Sequence, residues 1–322
     1  MTRLLRSALL LAGVALAGSA LAQSYPTRPV RWVIPYAAGG GADALARVIA
    51  PALSRELGQP VVIENKPGAA SSIAASDVAR SAPDGYTIFS ADNGTLMYNP
   101  ALFKKLPYDP VKDFAPVSLL GRLPTIFVVG PGSQARDLKE LVQTVKDNPG
   151  KISFASAGTG SPHAMAMELF RTQAGLDMIH VPYRGGALSL QDVMAGQVPM
   201  TMTDYAGGGA IIRSGKVRPL AVANRTRLPQ LPDVPTFAEL GYPDVLAEAF
   251  GALVVPSATP SAIVERLQAA AQTAVADAEV RKKLIEIGYE PVGGTAEQLR
   301  SMLQRDTPRW QKLIRDLNIS LD

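Results

Sequence analysis

Val30-Arg31-Trp32-Val33-Ile34-Pro35-Tyr36-Ala37-Ala38-Gly39-Gly40-Gly41-Ala42-Asp43 is the stretch on which the fold turns. Its first five residues are β-branched and aromatic apart from Arg31, and read as a strand. Leu45, Val48, Ile49, Ala52, Leu53 and Leu57 then recur at helical spacing, with Gly58 as the stop. Asp43 is placed to N-cap this helix, and Pro51 is expected to kink it. A strand, a loop bare of side chains and a helix N-terminus together cradle an anion. Unpaired N–H groups there point outward at the positive end of the helix dipole. The same construction returns at Ser156-Ala157-Gly158-Thr159-Gly160-Ser161-Pro162-His163. One such loop is a weak signal, but two in separate halves of the chain predict a ligand gripped from both sides.

Outward from these loops the chain alternates. Strands over 30–34, 61–65 and 86–90 flank helices over 44–57 and 71–80. That βαβαβ order predicts a parallel sheet with right-handed crossovers. A second cycle has strands over 126–129, 152–154, 179–181, 198–202 and 219–222, with helices over 137–148, 162–174 and 188–194. An apolar stretch over 251–255 precedes three helices over 261–276, 279–287 and 296–317. No internal repeat is visible. A chain of 322 residues exceeds what one core usually serves, so two lobes are expected.

The first residues stand apart from that fold. Arg3 and Arg6 form a positive n-region, the stretch 4–21 is almost wholly apolar, and Ala20-Leu21-Ala22 has a small-x-small cleavage pattern. A signal peptide over 1–22, cleaved after Ala22, is therefore expected, and with it an exported, soluble mature chain. Without Arg3 and Arg6 the chain keeps 30 of its 32 Lys and Arg against 28 Asp and Glu, which gives no case for nucleic acid. There is no cysteine, so disulfides and thiolate metal sites are excluded. The two histidines, His163 and His180, suit no zinc spacing, and no metal or cofactor is expected. Gly-x-Ser-x-Gly, His-Glu-x-x-His and Walker motifs are absent, and Gly158-Thr159-Gly160 lacks the third glycine of a dinucleotide fingerprint. No catalytic residue is assigned, and enzyme chemistry has the lowest standing of the function classes.

The run from Pro35 through Arg47 and the segment Gly58-Gln59-Pro60-Val61-Val62-Ile63-Glu64-Asn65-Lys66-Pro67-Gly68-Ala69 resemble the tripartite tricarboxylate transporter receptors, or Bug proteins. So do Pro83-Asp84-Gly85-Tyr86-Thr87, Leu106-Pro107-Tyr108-Asp109-Pro110 and Lys112-Asp113-Phe114. The resemblance continues, in order, through Ser156 to His163, His180-Val181-Pro182-Tyr183-Arg184-Gly185, Gly196-Gln197-Val198, Gly215-Lys216-Val217-Arg218 and Asp233-Val234-Pro235-Thr236. It implies a periplasmic solute-binding protein of Venus-flytrap form, an α/β fold whose two lobes are each a mainly parallel sheet flanked by helices. One lobe would span 23–123 plus 249–322 and the other 124–248, with the ligand cleft between them. The implied ligand is a small carboxylate held by backbone N–H groups, and the implied partner a membrane transporter; a sensor kinase is the alternative. A monomer is expected. The chain departs from the family pattern at Tyr36, where phenylalanine is usual, at Ala42, at Pro162 beside His163, and at Leu188-Ser189 in place of Pro-Ala. No ligand is therefore carried over from a relative.

The candidate ligand contacts are Tyr36, Ala38, Gly39, Gly40, Ser90, Asn93, Ser156, Gly158, Thr159, Gly160, Ser161, Tyr183, Arg184 and Asp204. Glycines let a carboxylate approach the backbone with no Cβ in the way. Asp43 reads as a helix cap, because a carboxylate there repels an anion. Ser161 suits a helix cap as well as a ligand donor, with Pro162 at the favoured first position. His163 reads as a structural hydrogen-bonder. Arg184 has the geometry of a carboxylate clamp, but an exposed rim arginine is the slightly stronger reading. Asp204, at a strand end, reads equally as a ligand contact and as an acid one layer behind it. Ser90, Asp92 and Asn93 read as the distal end of the site or as an Asx-type turn.

Overall fold

A computed structural model describes residues 25–321 of the protein, so the expected signal peptide and its cleavage point lie outside the described residues. In chain order the first elements are β1 (Val30–Ile34), α1 (Gly41–Leu57), β2 (Val61–Asn65), α2 (Ser72–Ala79), β3 (Thr87–Ala91), α3 (Asn99–Leu102) and β4 (Phe114–Val129). Next come α4 (Leu138–Lys146), β5 (Ser153–Ser156), α5 (Pro162–Ala174), β6 (Ile179–Pro182), α6 (Gly186–Met194), β7 (Met200–Asp204), α7 (Tyr205–Arg213) and β8 (Arg218–Val222). The chain closes with β9 (Glu248–Pro256), α8 (Ser261–Ala276), α9 (Ala278–Glu286), β10 (Glu290–Pro291) and α10 (Ala296–Asp316).

The strands form one sheet in the order β2-β1-β3-β9-β4-β7-β5-β6, with β8 and β10 also pairing β4. At the two ends the ladders are parallel, β1 with β2 and β3, and β5 with β6 and β7. Through the middle, β9 runs antiparallel to β3 and β4, and β4 antiparallel to β7, β8 and β10. The sheet is thus mixed, which corrects the expectation of mainly parallel pairing. The reason is β4, a strand much longer than the 126–129 read from sequence.

That strand changes partner in mid-course. Its pairing with β9 ends at Pro124 opposite Glu248, and its pairing with β7 begins at Thr125 opposite Asp204. Thr125 secures the changeover: its hydroxyl donates to the Ala247 carbonyl at 2.8 Å, and its carbonyl accepts from the Ala223 N–H at 2.9 Å. One chain segment thus runs from one half of the molecule to the other without leaving the sheet.

Helices cover both faces. On β1, Val30, Trp32 and Ile34 pack with Leu45, Ile49 and Leu53 of α1, while Val33 faces the second core with Phe89. A strand buried on both faces reads as a continuous apolar run, and each buried leucine or isoleucine of α1 contributes about 1.5–3 kcal/mol. The second core crosses the changeover, from Phe89 and Phe114 to Phe127, Phe154, Phe170 and Phe237. Helix α1 is continuous through Pro51, whose ring is exposed.

Candidate functional site

Buried Asp204 and half-buried His163 link the two glycine loops. Asp204 closes β7 and is 6% exposed. Its Oδ1 accepts from the Gly207 N–H at 2.7 Å, capping α7, and its Oδ2 lies 3.0 Å from His163 Nε2. Burial works to raise this carboxyl; the hydrogen bond and charge of His163 and the amides of Gly207 and Ala206 outweigh it, so it stays below its ordinary range. Gly41 of the first loop meets the same carboxylate: a Cβ there would lie 3.4 Å from Asp204 Oδ2 and 3.0 Å from Leu123. On the far side, a Cβ on Gly186 would lie 4.0 Å from His163 Cε1. A chain of contacts therefore runs from the start of α1 through Asp204 and His163 to the start of α6.

Four helix N-termini converge on this pair, and they are not equivalent. The start of α5 is capped by Ser161, which accepts from the Ala164 N–H at 3.1 Å, and α7 is capped by Asp204. Neither Gly40 before α1 nor Gly185 before α6 supplies a side-chain cap. The first-turn N–H groups of α1 and α6 are thus the ones left for a ligand.

Several expected donors are committed inside the protein. The Gly39 N–H donates to Asp43 Oδ2 at 2.9 Å, and that carboxylate also takes Arg47 Nε at 2.8 Å and Asn65 Nδ2 at 3.0 Å. Asp43 is therefore not the N-cap of α1 but a first-turn acid reaching back to its own loop; the N-cap is Gly40. Ser156 is fully buried, with its Oγ 2.7 Å from His180 Nε2 and accepting the Gly158 N–H at 3.1 Å. Ser161 donates its hydroxyl to the Gly158 carbonyl at 2.7 Å. Ser90 accepts from Trp32 Nε1 at 2.9 Å. Asn93 pins β9, accepting from the Phe250 N–H at 3.0 Å and donating to the Glu248 carbonyl at 3.1 Å. The Tyr183 hydroxyl donates to Asp192 at 2.6 Å, the first cause of its pKa rising to about 12. The Tyr36 hydroxyl donates to Asp92, which also accepts from the Thr95 N–H at 2.9 Å in an Asx-type turn. Arg184 is exposed. Ala38, Gly40, Thr159 and Gly160 keep their loop positions without such commitments.

The second loop also meets the turn around Gly94, the end of α3 and the run before α2 directly. A Cβ on Gly94 would lie 3.1 Å from the Gly160 carbonyl, and one on Gly160 would lie 3.0 Å from Leu102 and 3.4 Å from Ala70. The contribution of Gly185-Gly186 was not singled out from sequence, although it repeats the strand, glycine and helix order of the two loops. Among the described residues, no group of three or more His, Asp or Glu is placed to hold a metal, and no helix is long and apolar enough to cross a membrane.

His180 gives the second loop a pH signature. Burial against Phe154, whose ring stacks on it at 4.7 Å, lowers its pKa to about 4, with Arg171 adding to the effect. In the unfolded chain the imidazole titrates near its ordinary 6.5. Between those values the unfolded state binds a proton that the folded state refuses. Stability is thus level above pH 6.5 and falls as the pH drops toward 4, by about 2 kcal/mol for a group this buried. Urea unfolding at stepped pH should show this slope, and His180→Phe should flatten it; an equal slope in the variant would refute the assignment.

Two lobes sharing one strand, with uncapped helix N-termini facing across their junction, define a solute-binding receptor of the periplasmic-binding-protein type. The sequence profile of the tripartite tricarboxylate transporter family receptor, TctC, matches residues 45–319. A UPF0065 protein from the tcbD-tcbE intergenic region of Pseudomonas sp. (strain P51) is 38% identical over 311 residues, covering 94% of this chain and 92% of that one. Among solved structures, R. palustris Rpa4515 with adipate superposes with a TM-score of 0.86 at 33% identity, covering 90% of this chain and 97% of that one. MatC (Rpa3494) from Rhodopseudomonas palustris with bound malate superposes at 0.84 with 34% identity, covering 90% of this chain and 100% of that one. The chain belongs to the tripartite tricarboxylate transporter receptor, or Bug, family, whose members bind substrates and are not enzymes.

Proposed function

We propose that the protein is a periplasmic receptor that closes on a small organic carboxylate and hands it to a tripartite membrane transporter, acting as a monomer after cleavage at Ala22. The observation that carries this reading is the pair of helix N-termini without side-chain caps, α1 and α6, on opposite sides of Asp204 and His163. The first-turn N–H groups of α1 and α6, with Ala38 and Gly40 on one loop and Thr159 and Gly160 on the other, are the donors we assign to the carboxylate. Arg184 stands at the rim. The moving bodies are 23–123 plus 249–322 and 124–248, a division supported by the change of strand partner between Pro124 and Thr125. Adipate and malate in two relatives support the ligand class. Closure takes the carboxylate out of water, where fixed N–H dipoles act more strongly.

Calorimetric titration of the purified mature protein with adipate, malate, neutral sugars and amines tests the reading. A carboxylate is expected to bind without being converted, and binding of sugars or amines alone would refute it. Thr159→Val, which removes a half-buried hydroxyl with no hydrogen bond inside the protein, should weaken the carboxylate about tenfold and leave the melting temperature unchanged.

A further inference from the structure

A second polar cluster lies where the Asp92–Gly94 turn meets the loop around Gly160, separate from Asp204 and His163. The chain reaches it through strained backbone: Ala69, Ala70 and Ser71 have φ of 45°, 47° and 72°, a left-handed run that side chains resist. Asn99 fixes this run by donating Nδ2 to the Ala70 carbonyl at 2.8 Å. The run delivers Ser71, 3% exposed, to the side of the Tyr36 hydroxyl, the one partner its own hydroxyl has there. Asp92, 8% exposed, completes the group, and Oδ1 lies 3.3 Å from the Cβ position of Gly94, against the second lobe.

The proton inventory of the cluster is one-sided. Tyr36 has a single proton and gives it to Asp92 Oδ2. Asp92 Oδ1 takes both the N–H and the hydroxyl of Thr95, at 2.9 and 2.6 Å. The Ser71 hydroxyl gives its proton to the Tyr36 oxygen; a carboxylate oxygen accepts two hydrogen bonds, so Oδ2 retains one acceptor site, and the Ser71 oxygen adds another. A ligand carboxylate offers acceptors only and shares the charge of Asp92, so it is disfavoured here. A hydroxyl or ammonium matches.

We infer that Asp92, Tyr36 and Ser71 read a hydrogen-bond donor carried by the ligand, so that the protein takes hydroxy- or amino-substituted acids in preference to their unsubstituted parents. This rests on the carboxylate reading of the cleft and adds to it the chemistry of the ligand's remaining surface. It also assigns the Tyr36 hydroxyl a role that phenylalanine cannot fill: it orients Asp92.

Calorimetric titration of the mature protein with three matched sets tests this: propionate, lactate and alanine; succinate, malate and aspartate; adipate and 2-aminoadipate. Within whichever set binds, the substituted acid should bind at least about tenfold tighter than its parent. Comparing malate with aspartate, or lactate with alanine, separates a hydroxyl from an ammonium. Asp92→Asn should bring parent and substituted acid within about threefold of each other, mainly by strengthening the parent. Tyr36→Phe, which leaves the Thr95 bonds to Asp92 in place, should narrow the ratio in the same direction. Parent acids binding as tightly as substituted ones, or a ratio unmoved in both variants, would overturn the inference while leaving the carboxylate reading intact. Binding of none of the acids would overturn both.

Discussion

Gly160→Leu should bind its carboxylate on the order of a hundredfold more weakly than the parent protein while melting within about 4 °C of it. The backbone at Gly160 is outside the left-handed region, so a side chain is not excluded by conformation. Space excludes it instead. The first carbon alone would stand 3.0 Å from Leu102, 3.4 Å from Ala70 and 3.5 Å from Leu321. Three more carbons have nowhere to go except between the two halves of the molecule. The penalty falls on the approach of the two halves at this seam. Small-angle scattering with saturating ligand should show the variant held in its wider form, whereas the parent contracts. Ligand-driven contraction and affinity equal to the parent would refute the role given to this contact.

Asp204→Ala should cost about 3 kcal/mol of folding free energy, measured by urea unfolding at pH 7. Three groups lose their partner at once: the Gly207 N–H at the start of α7, His163 Nε2, and the packing beneath Gly41. Asp204→Asn keeps an acceptor for the helix and should lose less than half as much. The pH dependence follows from the lowered carboxyl pKa. With the folded value below the unfolded one, the stabilisation is complete above the ordinary carboxylate range and disappears as pH falls through the folded value. The difference between parent and Asp204→Ala should therefore narrow only in strongly acidic solution. A loss under about 1 kcal/mol at pH 7 would show that Asp204 is not the keystone described.

Elements with local punctuation were legible in the sequence. Ser161, Pro162 and Gly175 bracket α5, and its observed bounds are the expected 162–174. The first two-thirds of β4 gave no such signal, because Pro116, Gly121 and Pro124 interrupt it and the register shifts twice against β9. Helix α7 was also missed. Tyr205-Ala206-Gly207-Gly208-Gly209 looks like a loop, since glycine is a weak helix former. The fold uses those glycines for close approach: a Cβ on Gly208 would lie 2.8 Å from Thr203, and one on Gly209 would lie 2.9 Å from the Tyr205 ring. In the site, residue types in the loops were legible, but their commitments were not. Ser156 meets His180 across 24 positions and Asn93 meets Phe250 across 157, pairings set by tertiary structure that local pattern cannot carry.

The single strand that serves both halves limits how they can move. Rotation about the line through Leu123, Pro124 and Thr125 leaves every ladder on either side intact, whereas sliding or shearing would break the bonds of Thr125 to Ala223 and Ala247 together. The pairing therefore favours a bend about one crease as the motion between the halves, like a leaf spring. A ligand that fits need only select a point along that bend, so acids of different length can be accommodated by the angle at which the spring comes to rest, without rebuilding either jaw.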